Sequence, residues 1–253
     1  MNIPVALQLY TLREETEKDF IGTLEKVAAI GYQGVEFAGY GGLSASELKA
    51  CLDRLGLKAA GSHVSMDQLT SNLDEVIAFN KAIGNAYIIC PWAEFETKED
   101  YINTAKKFNE IGQRCNENGL IFCYHNHDHE FDVVDGNYGL DILYGESAEN
   151  LVKAEIDTYW VQYAGVDPVG YIKQYRGRCP LIHLKDMEAG EKKDYAEIGN
   201  GVMDIKAIVD AAKENGAKWL VVEQDECKRQ PLESVTISFE NLKKYFKSER
   251  SGF

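Results

Sequence analysis

Three of the five histidines in this 253-residue chain occur at alternate positions of one short stretch, as His125, His127 and His129. The stretch follows the apolar residues 120–123 and continues to Glu130. Alternate residues of a strand share a face, so two or three imidazoles and a carboxylate would meet where this strand ends. Such a group suits a metal site or acid–base chemistry, whereas the structural alternative is a polar loop after a buried strand.

Acids and a histidine also end three later apolar runs of the chain, as Asp157, His183 and Glu223. Neighbouring strands lie about 4.8 Å apart, so three adjacent strand ends can converge on one cation. One imidazole and two carboxylates suit Mn²⁺, Co²⁺, Fe²⁺, Zn²⁺ or Mg²⁺ better than Ca²⁺ or Cu⁺. The structural alternatives are that Asp157 caps the following turn and that His183 is a satisfied core histidine.

Four further residues at strand ends are candidates for binding a substrate: Glu36, His63, Trp92 and Lys185. Trp92 offers an aromatic face on which a sugar ring can stack, although an aromatic residue at the rim can also simply pack a lid. Lys185 either steers an anionic or hydroxylated substrate or pairs with its neighbour Asp186.

A repeated unit positions these residues, in which a helical segment ends on a glycine and a short apolar strand follows. The five copies end on Gly31, Gly56, Gly84, Gly119 and Gly216. Glycine suits the left-handed position just past a helix end, and near-continuous apolar strands indicate a parallel sheet buried on both faces. Three more strands are predicted at residues 5–10, 151–157 and 180–184.

Eight strands alternating with amphipathic helices over about 250 residues predict an α/β fold, a (β/α)8 TIM barrel, as a single domain over residues 1–253. The alternative is an open doubly wound sheet, which requires a glycine-rich turn after its first strand. Residues 8–13 contain no glycine, which argues against that sheet. In a barrel the active site lies at the C-terminal strand ends, where the acids and histidines fall.

The composition of the chain argues against several classes of protein. The net charge of −14 disfavours nucleic acid as a partner, because phosphates would be repelled. The chain has no apolar run of the roughly 20 residues that a membrane span requires. Its six cysteines form no CxxC pair, and residues 1–4 lack the features of a signal peptide. We therefore expect a cytoplasmic protein without a membrane partner.

Seven short segments follow one another along the chain: residues 31–36, 62–65, 124–131, 155–157, 183–186, 198–204 and 222–223. Taken in this order, they resemble the sugar phosphate isomerase/epimerase family. This is the group of xylose isomerase-like barrels that also includes ketose 3-epimerases, inosose enzymes and endonuclease IV. The resemblance implies one divalent metal ion (Mn, Co, Mg, Fe or Zn) with ligands from strands five to eight, and Asp157, His183 and Glu223 match the last three.

Strand five is where the chain departs from the epimerases of this family, which have a glutamate ligand there that also acts as acid or base. The corresponding position is Tyr124 or His125, and the next glutamate is Glu130. His125 or His127 completes the metal shell instead, and alternation allows both to face the same side. Glu130 falls where the epimerases have a substrate-binding glutamate.

The resemblance implies an isomerase or epimerase that acts on a keto-sugar, keto-glycoside or cyclitol through a metal-stabilised enediolate. Glu223 is then the candidate base, with His125, His127 or Glu130 as the partner acid. One alternative is a lyase or dehydratase on the same substrates, in which a β-hydroxyl or glycosidic oxygen is expelled. Another is a barrel that binds sugar without catalysis. An endonuclease conflicts with five histidines and the acidic charge. Such barrels often pair, so a homo-oligomer is one of the states that the sequence leaves open.

Overall fold

The computed structural model describes residues 3–248 and is built on a closed barrel of eight parallel strands. Each barrel strand pairs with its neighbours along the chain, and the first strand pairs with the eighth. The predicted barrel is confirmed, and the predicted strand limits differ by at most two residues at either end. From first to eighth, the barrel strands are Val5–Gln8, Gly34–Phe37, Lys58–His63, Tyr87–Cys90, Ile121–His125, Val152–Asp157, Leu181–Leu184 and Trp219–Val222.

Helices surround the barrel and end as the sequence predicts. Ser44 and Thr97 each begin a helix with a capping box, in which the side chain accepts a hydrogen bond from the backbone three residues later. Gly31, Gly56 and Gly84 end helices in the left-handed conformation that the repeated unit predicted. The helices are Arg13–Lys18, Phe20–Ile30, Ala45–Leu55, Met66–Ser71, Leu73–Ile83, Lys98–Glu117, Gly139–Glu146, Thr158–Tyr163, Pro168–Gln174, Ile205–Asn215 and Pro231–Ser248.

Alternation along each strand divides the side chains between the helix layer and the barrel interior. In the sixth strand Val152, Ala154 and Ile156 belong to the main apolar core, so Glu155 and Asp157 face the interior. Deeper in the barrel, apolar side chains form a second cluster of Tyr87, Ile89, Cys123 and Leu181. The interior therefore changes from apolar to acidic and imidazole-rich toward the C-terminal strand ends.

Short irregular elements follow the strands at this end and form the walls of the barrel mouth. They include the 3-10 turns Leu9–Leu12 and His129–Phe131 and a two-stranded ribbon of Asp186–Met187 with Tyr195–Ala196. A second ribbon pairs Val133–Val134 with Asn137–Tyr138. Within residues 3–248, the helices are too short or too polar to cross a membrane.

Candidate metal centre

Four side chains from the last four strands meet at the barrel mouth, and we call them the outer cluster: His125, Asp157, His183 and Glu223. Their candidate ligand atoms all lie within 4.8 Å of one another. Nε2 of His125 is 3.2 Å from Oδ2 of Asp157, and Nδ1 of His183 is 3.0 Å from Oε2 of Glu223. All four are buried. Two imidazoles and two carboxylates are a donor set that suits a divalent first-row metal.

Asp157 is both a helix cap and a member of the outer cluster. The two interpretations of its position in the sequence, a cap and a candidate metal ligand, are therefore compatible. Its Oδ1 accepts backbone hydrogen bonds from Tyr159 at 2.9 Å and Trp160 at 3.2 Å, which begins the helix Thr158–Tyr163. Its Oδ2 faces His125. The cap therefore fixes the carboxylate so that one oxygen remains directed into the cluster.

Lys185 joins the outer cluster through its ammonium group rather than pairing with Asp186, so that suggested pairing is wrong. Its Nζ lies 3.0 Å from Oδ2 of Asp157, 2.8 Å from Oε2 of Glu223 and 2.7 Å from Oδ2 of Asp225. Asp186 instead accepts backbone N–H groups from the loop after it, including that of Met187. Adjacent residues of an extended chain point to opposite sides, which separates the two side chains.

The electrostatics of the outer cluster favour ionised carboxylates. Burial opposes ionisation of Asp157 and Glu223, but the Lys185 ammonium together with the His125 and His183 imidazoles outweighs it, and the pKa of each carboxyl group falls below its usual value. Asp225 contacts the same ammonium, but burial and the Glu223 carboxylate raise its pKa. The ionised carboxylates of Asp157 and Glu223 against one ammonium already leave an excess of negative charge, which a divalent cation would neutralise.

A second group lies behind the first, and we call it the inner cluster: Glu36, His63, Glu155 and, shared with the outer cluster, His183. Nε2 of His183 is 2.6 Å from Oε2 of Glu36 and 3.4 Å from Oε2 of Glu155. Nε2 of His63 is 3.1 Å and 2.8 Å from the same two oxygens. The predicted substrate-binding residue Glu36 therefore lies fully buried against His183, and of this group His63 reaches the cavity.

The surroundings of the inner cluster fit Glu36 closely. Nε2 of Gln8 donates a hydrogen bond to Oε2 of Glu36 at 2.8 Å. The next strand carries Gly61, where a Cβ would collide with Oε1 of Glu36. Burial and the Glu36 carboxylate raise the pKa of Glu155 to about 7. Burial lowers the pKa of His63, but Glu36 and Glu155 outweigh it and raise the value to about 9.

A cavity of about 360 Å³ opens above the outer cluster. His127 lines it with Nδ1 unpartnered among the described residues, and burial, followed by the nearby His125, lowers its pKa to about 2. Trp92, 48% exposed, lines the cavity as predicted for a stacking residue, with its ring 4.8 Å from that of His127. The lining residues are Tyr10, Ala38, His63, Pro91, Trp92, His125, His127, Glu223 and Asp225.

Glu130 lies behind the cavity wall, which does not favour the catalytic role that we expected for it. It is fully buried, accepts a hydrogen bond from the hydroxyl of Tyr124, and accepts another from the backbone N–H of His127 at 2.8 Å. Both carboxylate oxygens are therefore engaged in holding the loop after the fifth strand. The placement favours a structural role in which Glu130 orients His127.

Sequence reasoning overlooked Glu155 and the role of Asp225 as a partner of Lys185. Glu155 lies two residues before Asp157, on the same face of a strand whose alternate residues Val152, Ala154 and Ile156 are apolar. An acid in such a run is costly to bury without a partner, and this signal alone could have marked it. Asp225 lies just past the eighth strand, where only the fold shows that it reaches Lys185.

Comparison with known proteins agrees with this architecture. Residues 24–245 match the family model described as xylose isomerase-like TIM barrel, so the chain belongs to that family and the resemblance seen in the sequence is confirmed. An inosose dehydratase of Clostridium beijerinckii is 25% identical over 279 residues, covering 94% of this chain and 91% of the relative. An inosose dehydratase of Lacticaseibacillus casei is 25% identical over 259 residues, covering 86% of each.

A solved structure of a sugar phosphate isomerase/epimerase from Parabacteroides distasonis is also similar to this chain. It aligns with a TM-score of 0.84 at 25% identity and covers 96% of this chain and 98% of that one.

Proposed function

We propose that this chain is a divalent-metal-dependent enzyme that removes water from a keto-cyclitol or a related keto-sugar. The observation that carries the proposal is the outer cluster, in which two imidazoles and two carboxylates lie within 4.8 Å of one another beneath an open cavity. The inosose dehydratases that align with most of this chain support the substrate class and the elimination reaction.

The residues that would hold the metal ion are His125, Asp157, His183 and Glu223. Mn²⁺, Co²⁺, Fe²⁺, Zn²⁺ and Mg²⁺ all accept such donors. A divalent cation held there would supply Lewis-acid chemistry, polarising a substrate carbonyl. In this arrangement Glu223 is a ligand rather than the base, because its Oε2 already faces His183 and Lys185 and its pKa is held low.

The cavity offers a different pair of groups for moving protons. His127 lines the cavity beside the outer cluster, so its imidazole is placed to accept the proton from the carbon beside the carbonyl. The C–H electron pair then forms the new C=C bond, and the β-hydroxyl leaves with the electrons of its C–O bond. Asp225 donates the proton that completes the departing water, since burial and the Glu223 carboxylate raise its pKa.

The lining of the cavity favours an uncharged polyol over a sugar phosphate. Among the described lining residues are the carboxyl groups of Glu223 and Asp225, and neither lysine nor arginine. A phosphate would therefore meet negative charge without a cation from the lining. Trp92 and Tyr10 present partly exposed aromatic faces to the same space, on which a sugar or cyclitol ring can stack.

An isomerase or epimerase is the second candidate, and the similarity to the Parabacteroides distasonis structure favours it. Epimerisation requires proton transfer on both faces of one carbon, which a pair of carboxylates supplies in the epimerases of this family. Here the strand-five position of the outer cluster is His125 rather than a glutamate. Elimination needs a single base beside the carbon and a proton donor for the leaving group, which His127 and Asp225 provide.

Incubation with an inosose in deuterium oxide, with Mn²⁺, Co²⁺ or Zn²⁺ added, tests the proposal. Mass spectrometry is expected to show loss of one water from the substrate, and chelation is expected to abolish the loss. Deuterium at the carbon beside the carbonyl without loss of water would favour the isomerase or epimerase. Full activity after exhaustive removal of metal, or no exchange with inososes and keto-sugars, would reject the proposal. Asp157→Asn serves as the metal-site control.

A further inference from the structure

The inner cluster has no part in the proton transfers proposed above. Glu36, Glu155 and His183 are fully buried and His63 nearly so. Ionisable groups are costly to bury unless they are paired, so their presence together in a barrel interior calls for a specific role. The cluster shares one member, His183, with the outer cluster.

The close contacts of the inner cluster alternate between nitrogen and oxygen. Nε2 of His183 and Nε2 of His63 each face Oε2 of Glu36 and Oε2 of Glu155, at distances from 2.6 to 3.4 Å. A proton on each Nε2 satisfies this arrangement with ordinary charge-assisted hydrogen bonds. No further ion is needed to hold the four groups together.

This arrangement decides which nitrogen of His183 is available to a metal. The shortest contact of its ring joins Nε2 to Glu36 at 2.6 Å, so Nε2 carries the proton that Glu36 accepts. Nδ1 lies on the other side of the ring and belongs to the outer cluster, 3.0 Å from Glu223. Ligating histidines commonly donate their other N–H to a carboxylate, which fixes the tautomer and orients the ring.

We propose that Glu36 is a positioning residue that keeps the proton of His183 on Nε2, so that Nδ1 directs its lone pair at the cation of the outer cluster. His63 bridges Glu36 and Glu155 and thereby holds Glu36 in place, with Gln8 as a further donor. The inner cluster is thus held together by imidazole protons and orients one metal ligand, His183. It is not a second metal site. The inference rests on the proposed metal dependence.

The competing assignment is a second cation bound by Glu36, His63, Glu155 and Nε2 of His183. Cations in both clusters would require His183 to ligate through both nitrogens and to give up both of its ring protons. The protonation state of Nε2 in the metal-loaded protein therefore distinguishes the two assignments.

Nitrogen NMR of the zinc-loaded protein measures that state directly. The chain has five histidines, so the ring nitrogens of a sample with ¹⁵N-labelled histidine can be assigned with one His→Gln variant each. We expect His183 to retain the proton on Nε2 while Nδ1 loses its proton and shifts on zinc binding. Loss of the Nε2 proton with zinc bound would overturn the positioning role and leave the metal dependence intact. Failure to bind zinc at all would reject both.

A Glu36→Gln variant tests the contribution of the carboxylate to metal binding. Zinc affinity, measured by competition with a chelator, is expected to fall roughly 10- to 100-fold, as is typical when an outer-shell partner of a ligand is removed. The matched control is Glu197→Gln, another buried glutamate, whose carboxylate accepts a hydrogen bond from Ser234 instead. Its zinc affinity should equal that of the wild type.

Equal zinc affinity in Glu36→Gln and wild type would overturn the proposal. A structural effect of the substitution would lower the unfolding temperature without changing the ring-nitrogen shifts of His183 in the folded, zinc-loaded variant. We expect those shifts to change. If Glu36→Gln does not fold, the spectrum of the wild type alone decides the question.

Discussion

The outer and inner clusters contain the same two kinds of group and share His183, but they balance their carboxylates differently. In the outer cluster Lys185 supplies a fixed ammonium, and the pKa values of Asp157 and Glu223 fall. The inner cluster depends on imidazole protons. Burial opposes ionisation of both its carboxyl groups, but His63 and His183 outweigh it at Glu36 and lower that pKa, whereas the pKa of Glu155 rises. Residue type alone therefore does not determine the role of a buried acid. That role is determined by the cationic group beside the acid and by the depth of the acid in the barrel.

The largest expected effect comes from the residue that the two clusters share. His183→Gln removes the Nδ1 donor and the partner of Glu36 together, so zinc affinity should fall by more than the roughly 100-fold that losing an outer-shell partner costs. His63→Gln, which alters the inner cluster alone, should have a smaller effect. Chelator competition on both variants measures the difference. Equal zinc affinities in the two variants would show that the outer and inner clusters do not differ in their contribution to metal binding.

A second large effect should separate proton transfer from metal binding. His127→Asn removes the proposed proton acceptor, so deuterium exchange beside the substrate carbonyl should slow by roughly 10²- to 10⁴-fold. Zinc affinity should change little, because the ring of His127 lies outside both clusters. Exchange at the wild-type rate would show that another group takes the proton.

Removing the fixed ammonium should destabilise the metal-free protein in particular. Lys185→Met leaves Asp157, Glu223 and Asp225 buried together without their cation, and breaking a buried pair typically costs about 3–5 kcal/mol. Denaturant unfolding with and without zinc measures the loss, and zinc should restore part of it. Lys206→Met, in an exposed pair with Asp210, is the control and should cost far less. A loss as small as that of the control would contradict the role given to Lys185.

The smallest effects concern pH, and the groups of the two clusters divide into two sets with opposite trends, with Glu36 of the inner cluster behaving like Asp157 and Glu223. The folded pKa values of Asp157 and Glu223 lie below their unfolded values, so their stabilisation is complete above roughly pH 4.5 and is lost as the pH falls. The folded pKa values of Glu155 and His63 are raised to about 7 and about 9. Their stabilisation is complete below the unfolded values, roughly 4.5 and 6.5, and is lost as the pH rises through the folded ones.

Unfolding of the metal-free protein across this range measures both trends. His63→Gln should reduce the loss of stability on the alkaline side. Because His63 also helps to lower the pKa of Glu36, the variant should in addition lose part of the stabilisation that disappears at acidic pH. If the free energy of unfolding of the variant falls at alkaline pH as much as that of the wild type, His63 does not hold its proton as described.

The sequence was sufficient for the fold because the signals are local and repeated. Each glycine-ended helix and the apolar strand after it can be recognised alone. Eight strands that alternate with helices at this spacing are compatible with few folds. The meeting of Asp157, His183 and Glu223 followed from the barrel, since adjacent strand ends lie side by side.

The depth of each side chain in the barrel and the direction in which it points could not be predicted in the same way. Alternation places His125 and His127 on one face, but only the fold shows that His125 enters the outer cluster while His127 lines the cavity. The partners of Lys185 and the buried position of Glu36 depend on contacts between residues 28 to 147 positions apart. Such contacts leave no local pattern in the sequence.

The most direct test of the central claim is anomalous diffraction from crystals grown with Co²⁺. We expect one strong peak within about 2.0–2.3 Å of Nε2 of His125, Oδ2 of Asp157, Nδ1 of His183 and Oε2 of Glu223, and no peak in the inner cluster. A cobalt ion among Glu36, His63 and Glu155, or no bound cobalt at all, would contradict the account.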